Sequence, residues 1–136
     1  MKKLLFVSIF SILSIVAHSQ TGVIKGRVID GNLDGIIGAE IMDNRTNHKV
    51  YADAKGMFNI DADAGDTLTF YFVGSAKENR VVKNKVSHIN VILINKETND
   101  LGAIWTKRQW AKANKQIERK YKKLEEMAEQ TGKWDY

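Results

Sequence analysis

Short stretches in which every second side chain is apolar recur along residues 22–94, and turn-forming residues separate them. In the first stretch Ile24, Gly26 and Val28 fall on one face, and Lys25 and Arg27 fall on the other. A β-strand buries one face when alternate side chains are apolar, and glycine, asparagine and aspartate permit the reversals between strands. The pattern therefore predicts a small all-β module.

The same alternation predicts the remaining strands and their inward residues. Ala39 and Ile41 are expected to point inward in the second strand, and Leu68, Phe70 and Phe72 in a central strand. Residues 48–52 and 57–60 flank a glycine-containing turn at 53–56, which predicts a hairpin, and residues 80–82 and 89–94 supply an edge strand and a closing strand. Connections between neighbouring strands are too short for parallel pairing, so we expect a seven-stranded antiparallel sandwich.

A different period begins after Asn95. Apolar side chains then recur every three or four residues, which is typical of one buried face of a helix. These are Trp110, Ala113, Ile117, Tyr121, Leu124 and Ala128. With Asn99 and Asp100 as candidate caps and Gly132 as a stop, the pattern predicts an amphipathic helix over residues 100–131.

Positive charge is concentrated in that predicted helix. The chain carries a formal net charge of +5, yet residues 107–123 alone contain eight Lys or Arg against the single acidic Glu118, a local net charge of +7. The β region is therefore close to neutral or acidic, and the basic character belongs to the C-terminal segment.

The first residues have the features of an export signal. Lys2 and Lys3 precede an apolar run over residues 4–17, and small residues at Ala17 and Ser19 fit a signal peptidase site before Gln20. A membrane anchor is the alternative, but a span needs about 20 apolar residues and this run is shorter and contains serines. We expect a signal peptide at 1–19 and a mature protein that is periplasmic or secreted, with no transmembrane span.

The chain contains no cysteine. The segment after the apolar run therefore offers no cysteine to carry a lipid, and the exported domain has no disulfide. Its stability is expected to come from a hydrophobic core, which suits a sandwich of this size.

Several short motifs occur in a fixed order within residues 22–94. They are Ile24-x-Gly26-x-Val28-x-Asp30, Gly38-Ala39-x-Ile41, Asp53-x-x-Gly56-x-Phe58 and Gly65-Asp66-Thr67-Leu68 with Val73-Gly74. Together they resemble the carboxypeptidase regulatory-like domain of exported bacterial proteins. The resemblance implies a seven-stranded sandwich related to transthyretin (prealbumin), found in front of outer-membrane receptors or alone in secreted proteins. The chain departs from the family by having Ile36-Ile37 where a proline is usual, and Ser75 where a tyrosine often follows the glycine.

The family name raises the possibility of zinc peptidase activity. Such a site needs two or three protein ligands and a carboxylate base. His48 and His88 are the only histidines after the predicted signal peptide, and neither has an acidic residue at the matching spacing. We expect both to lie on the solvent face of strands, and we predict no catalytic or cofactor-binding residue.

An oxygen-rich segment could in principle hold calcium, which takes six to eight oxygen ligands. Its residues are Asn59, Asp61, Asp63, Gly65 and Asp66. In a calcium loop, however, glycine would stand at Ala64 and a bidentate glutamate at Phe70. A solvated turn before a strand accounts for the same residues, so we predict no metal site.

The basic helix is the best functional candidate. Three interpretations stay open: its apolar stripe packs on the sandwich while the lysines face water, it contacts an anionic envelope surface, or it occupies a groove of a protein partner. Trp105, Trp110, Tyr121 and Trp134 would suit an interfacial helix, and export disfavours nucleic acid as a partner. The sequence thus predicts a non-catalytic exported adaptor or accessory protein of the cell envelope, with a carboxypeptidase-type hydrolase as the alternative.

Overall fold

The structure, a computed structural model, describes residues 22–84, 88–95 and 106–135. Within them lie seven strands and one helix: β1 (Gly22–Ile29), β2 (Glu40–Asp43), β3 (Lys49–Tyr51), β4 (Met57–Ala62), β5 (Thr67–Tyr71), β6 (Glu78–Val81), β7 (Val91–Ile92) and α1 (Lys107–Gln130). The predicted signal peptide at 1–19 and the candidate caps Asn99 and Asp100 lie outside the described residues.

The strands form two sheets, one with the order β4-β1-β7 and the other with the order β3-β2-β5-β6. The predicted inward residues Ile41, Leu68 and Phe70 are fully buried in the core that the sheets share. Phe58 of one sheet meets Phe70 of the other edge to face, with ring centroids 5.5 Å apart. The predicted β-sandwich architecture is therefore confirmed. Phe72, which was expected to point inward, lies beyond the end of β5 and is 37% exposed.

The expectation of antiparallel pairing throughout is wrong for one strand pair. β1 and β7 run parallel, with Val28 opposite Val91 and Ile29 opposite Ile92. The argument from short connections applies to strands that follow one another in the chain, whereas five other strands separate β1 from β7. The whole second sheet lies within this connection, so the chain has ample length to bring β7 back in the same direction.

The predicted hairpin over residues 48–60 is also wrong in its pairing, although its turn forms. Asp53 Oδ1 accepts hydrogen bonds from the backbone amides of Lys55 and Met57, and Gly56 has a φ of +78°. However, β3 pairs with β2, and β4 pairs with β1. The turn therefore carries the chain from one sheet to the other instead of joining two neighbours in one sheet.

The last strand is buried on both faces, which explains the uninterrupted apolar run at its position. Val91 and Leu93 lie in the core between the sheets, whereas Ile92 and Ile94 lie in a second cluster on the outer face of the β4-β1-β7 sheet. Helix α1 covers that face. The second cluster consists of Ile29, Leu33, Ile92, Ile94, Leu124 and Ala128, with Ile117, Tyr121 and Trp134 packed against it.

Helix α1 begins at Lys107, with Thr106 as its N-cap, and the predicted helical residues 100–105 lie outside the described residues. Thr106 is extended, with φ −70° and ψ 157°, and its side chain accepts a hydrogen bond from the backbone amide of Gln109. The side chain of Gln109 in turn accepts a hydrogen bond from the backbone amide of Thr106, completing a capping box. At the other end Gly132 adopts a φ of +64°, so the predicted stop is confirmed.

Candidate functional site

The C-terminal half of α1 is fixed to the sandwich by apolar packing. Leu124 is 8% exposed and Ala128 is 0% exposed, and both contact the aliphatic side chains of β1 and β7 in the second cluster. Just beyond the helix, Arg27 of β1 donates a hydrogen bond from Nη1 to the carbonyl of Lys133 at 2.7 Å. The packing interpretation of the apolar stripe is therefore correct for this half of the helix.

A polar contact fixes the middle of α1 to the other sheet. Tyr121 donates its hydroxyl hydrogen to Glu78 Oε1 on β6 at 2.8 Å, and Arg80 donates to Oε2 of the same carboxylate at 2.7 Å. Burial of the phenol raises the pKa of Tyr121 well above its usual range, and the hydrogen bond to Glu78 raises it further. The hydroxyl is therefore protonated at neutral pH and donates this hydrogen bond. Because its C-terminal half packs on β1 and β7, α1 contacts both sheets.

The N-terminal half of α1 has a different environment. Residues 107–116 are exposed apart from the partly exposed Ala113, and Trp110 is 56% exposed although it belongs to the same apolar stripe as Leu124. Tyr121 and Trp134, two of the expected interfacial aromatics, pack against the second cluster instead. Trp110, Tyr121 and Trp134 therefore do not form one membrane-facing surface, and Trp105 lies outside the described residues.

Five cations line the side of α1 that faces away from the sandwich. We define this basic stripe as Arg108, Lys112, Lys115, Arg119 and Lys122, all of them exposed. Successive members are four, three, four and three residues apart, so they lie above one another on one face. At 1.5 Å per residue, the stripe is about 21 Å long. It lies on the opposite side of the helix from Leu124 and Ala128.

The charges of α1 are arranged against its macrodipole. The first turn contains no acidic residue and the last turn contains no basic residue, whereas Lys107 and Arg108 begin the helix and Glu126 and Glu129 lie near its end. Cations at a helix N-terminus and anions at a C-terminus each cost about 0.3–1 kcal/mol when exposed. The capping box and the docked half offset this cost. Helix stability therefore does not explain why the cations lie where they do.

The ion pairs of the described part of the chain lie on the sandwich and leave the basic stripe without a carboxylate partner. They join Arg45 with Asp63 and Asp66, Lys49 with Glu40, and Arg80 with Glu78. Glu118 and Glu126 lie four residues on either side of Lys122, so acidic residues flank the end of the stripe. Its net charge remains positive, and it is exposed at a fixed place relative to the sandwich.

The segment considered for calcium is divided between two environments. Asn59 and Asp61 are exposed on β4, whereas the carboxylates of Asp63 and Asp66 bind the guanidinium of Arg45. Asp66 is only 6% exposed, so the expectation of a solvated turn is wrong for this residue. Among the residues that the structure describes, no group of three or more histidine, cysteine or acidic side chains could hold a metal ion.

Arg45 was not singled out from the sequence, because nothing in the pattern of residues 43–47 distinguishes it from any other turn cation. Its hydrogen bond to Asp66 lowers the pKa of that carboxyl, and a backbone hydrogen bond from Asp63 also contributes. Asp43, which is fully buried, accepts hydrogen bonds from the backbone of Arg45 and the hydroxyl of Thr46. The cluster holds the 43–47 turn against the start of β5, which makes it a structural ion pair.

The two histidines lie apart. His48 is exposed immediately before β3, and His88 is exposed beside β1, where it forms an isolated bridge with Lys25. Their predicted exposure is confirmed, but the expectation that they are strand residues is wrong, because His48 precedes β3 and His88 forms only an isolated bridge.

Comparison with known proteins assigns the sandwich. The family model described as the CarboxypepD_reg-like domain matches residues 24–104, a range that begins inside β1, includes β2 to β7 and ends before α1. No curated protein matches the chain. Helix α1 is the one helix in the described part of the chain, and it is not apolar enough to span a membrane.

Proposed function

The chain belongs to the CarboxypepD_reg-like domain family, a regulatory and non-catalytic type of β-sandwich, and we propose that it serves as an exported accessory module of the cell envelope. In this proposal the sandwich is a rigid support and α1 is the element that recognises a partner. The family match covers the support and leaves α1 outside it.

The division of α1 into two halves carries this proposal. The half around Leu124 and Ala128 is packed on β1 and β7, whereas the half around Arg108 and Lys112 presents cations to solvent. A helix whose only role was to cover the sheet would be stabilised by acidic residues in its first turn, and α1 has none there. The exposed cations, which outnumber the acidic residues of this half, are instead suited to attract an anionic partner.

Export is supported by the N-terminal sequence, in which Lys2 and Lys3 precede an apolar run and a candidate signal peptidase site. Expression with the native leader in a bacterium with two membranes, followed by mass spectrometry of the product, should give a chain that begins at Gln20. A chain that retains Met1 and remains in the cytoplasm would contradict export.

The adaptor role predicts that retention of the exported protein in the envelope depends on the basic stripe. We expect the wild type to fractionate with envelope material, and a variant with Arg108, Lys112, Lys115 and Arg119 changed to Gln to be released. Glutamine is also a good helix former, so α1 is preserved. A variant with four sandwich lysines changed to Gln has the same net charge and should be retained. Its substitutions are at Lys25, Lys55, Lys77 and Lys83.

The non-catalytic role is tested separately. Purified mature chain should contain no stoichiometric zinc and should leave peptide substrates intact at their C-terminal residues. Stoichiometric zinc, or cleavage that a chelator abolishes, would support the carboxypeptidase-type alternative instead.

A further inference from the structure

We propose that the basic stripe docks this module on the phosphate headgroups of an anionic lipid bilayer, with the sandwich held on the side of α1 away from the bilayer. The inference rests on the proposed adaptor role and names the surface that the helix recognises.

The shape of the stripe fits a flat anionic surface. Arg108, Lys112, Lys115, Arg119 and Lys122 are exposed on one face of a single helix, along about 21 Å. The sandwich packs on the opposite face through Leu124 and Ala128. All five cations can therefore approach one plane together without a clash between that plane and the sheets.

The composition of the stripe favours lipid over a protein partner. Three of its five members are lysines, and no large apolar residue lies between them on that face. Protein interfaces are depleted of lysine and enriched in aromatic residues and arginine, whereas lysine is a hydrated point charge suited to diffuse attraction. Trp110, the large exposed aromatic residue of this half, lies on the side of the apolar stripe, away from the cations.

The docked half also determines how the helix approaches the bilayer. An interfacial helix normally inserts its apolar face among the acyl chains. In α1 the apolar side chains of Tyr121, Leu124 and Ala128 are already packed on the sandwich. The binding we propose is therefore electrostatic and peripheral, which makes it strongly sensitive to salt.

The test is sedimentation of the chain from Gln20 onward, which contains every described residue, with vesicles of phosphatidylglycerol mixed with phosphatidylcholine. Each cation near an anionic bilayer contributes about a fivefold increase in partitioning. We expect binding at about 0.1 M salt, release at about 1 M salt, where the Debye length falls to about 3 Å, and no binding to pure phosphatidylcholine.

Two matched pairs of substitutions locate the binding surface. Lys112→Gln with Lys115→Gln should lower the partition coefficient about 25-fold. Lys25→Gln with Lys83→Gln removes the same charge from exposed positions of the sandwich and should leave partitioning within about twofold of the wild type. Circular dichroism should give the same helix content for all three proteins.

The lipid proposal is overturned by a lack of binding to phosphatidylglycerol vesicles at low salt, or by equal losses in the two pairs. If the stripe variant is lost from the envelope fraction of cells while the wild type does not bind vesicles, the partner is an acidic protein. That result would overturn the lipid surface and leave the adaptor role standing.

Discussion

Gly26 lies in the middle of β1, where the core leaves no room for a side chain. A Cβ at this position would overlap the carbonyl of Ile89 and the ring of Phe58. Alternation along β1 correctly predicted that Gly26 faces inward. It could not predict the close approach of Ile89, because that contact depends on the parallel return of the chain beside β1.

Gly26→Ala should therefore destabilise the sandwich by about 3 kcal/mol, since overpacking at rigid backbone displaces β1 or the 88–92 segment. Urea denaturation monitored by circular dichroism measures the change. Gly22→Ala is the matched control, because its Cβ would lie 3.9 Å from the nearest atom, the carbonyl oxygen of Ala62. The control should remain within about 0.5 kcal/mol of the wild type. Equal stability of the two variants would contradict the close packing of Gly26.

The ion pair between Arg45 and Asp66 makes the free energy of unfolding depend on pH in the acidic range. The pKa of Asp66 is lower in the folded protein than in the unfolded chain, so its stabilisation is present above the unfolded pKa of about 4 and is lost as pH falls through the folded pKa. Urea titrations from neutral to acidic pH should show falling stability for the wild type in that window.

Arg45→Gln should be less stable than the wild type at neutral pH and should lose less of its stability on acidification. Arg119→Gln removes one exposed cation from α1 and serves as the control with equal charge. Its acid response should follow the wild type. If Arg45→Gln also follows the wild-type curve, the guanidinium does not lower the pKa of Asp66.

Single strands were easier to predict than their partners. The period of two in β1, β2 and β5 correctly assigned Ile24, Ile41 and Phe70 to the core, because burial of one face is a local property of the strand. The partner of β4 was not predictable in this way, since the turn at Asp53 has the same chemistry whether the next strand pairs in the same sheet or crosses to the other. Only the complete set of strands decides between these pairings.

The candidate site was predictable in outline for the same reason. The basic character and the apolar stripe of α1 are both local patterns, and both are present. Which half of the stripe is buried could not be predicted, because Trp110 and Leu124 occupy equivalent positions on the helix. The difference arises from the outer face of β1 and β7, which extends beneath Leu124 and leaves Trp110 56% exposed.

Leu124 tests the docking of α1 as an element. Leu124→Ala should cost about 2–3 kcal/mol, because it leaves a cavity beside Ile92 and Ile94 under the helix. Met127→Ala on the same helix is the control, since Met127 is exposed and should change stability by less than about 0.5 kcal/mol. Chemical denaturation gives both values, and hydrogen exchange over residues 121–130 shows whether the helix end opens. Similar costs for the two variants would mean that α1 does not depend on this contact.

At the scale of the whole molecule, α1 completes the fold as well as carrying the charged surface. The outer face of the β4-β1-β7 sheet presents Ile29, Ile92 and Ile94 to the helix, although an outer sheet face is ordinarily polar. The sandwich and the helix are therefore one stability unit. A change that removes the whole helix would confound loss of the partner surface with loss of stability.

Truncation after Asn95 should expose this apolar face and make the sandwich both less stable and prone to self-association. Exposure of a buried isoleucine costs at most about 1.5–3 kcal/mol, so loss of the helix should lower the free energy of unfolding by several kcal/mol. Analytical ultracentrifugation should detect dimers or larger species, and a dye that binds apolar surface should fluoresce. In the control, Ile92→Thr and Ile94→Thr in the truncated chain make the exposed face polar and should restore the monomer without restoring full stability. The contrary result is a truncated chain that stays monomeric and unfolds at the same urea concentration as the full chain. It would mean that α1 contributes no stability, and that the outer face of the β4-β1-β7 sheet is stable when exposed to solvent.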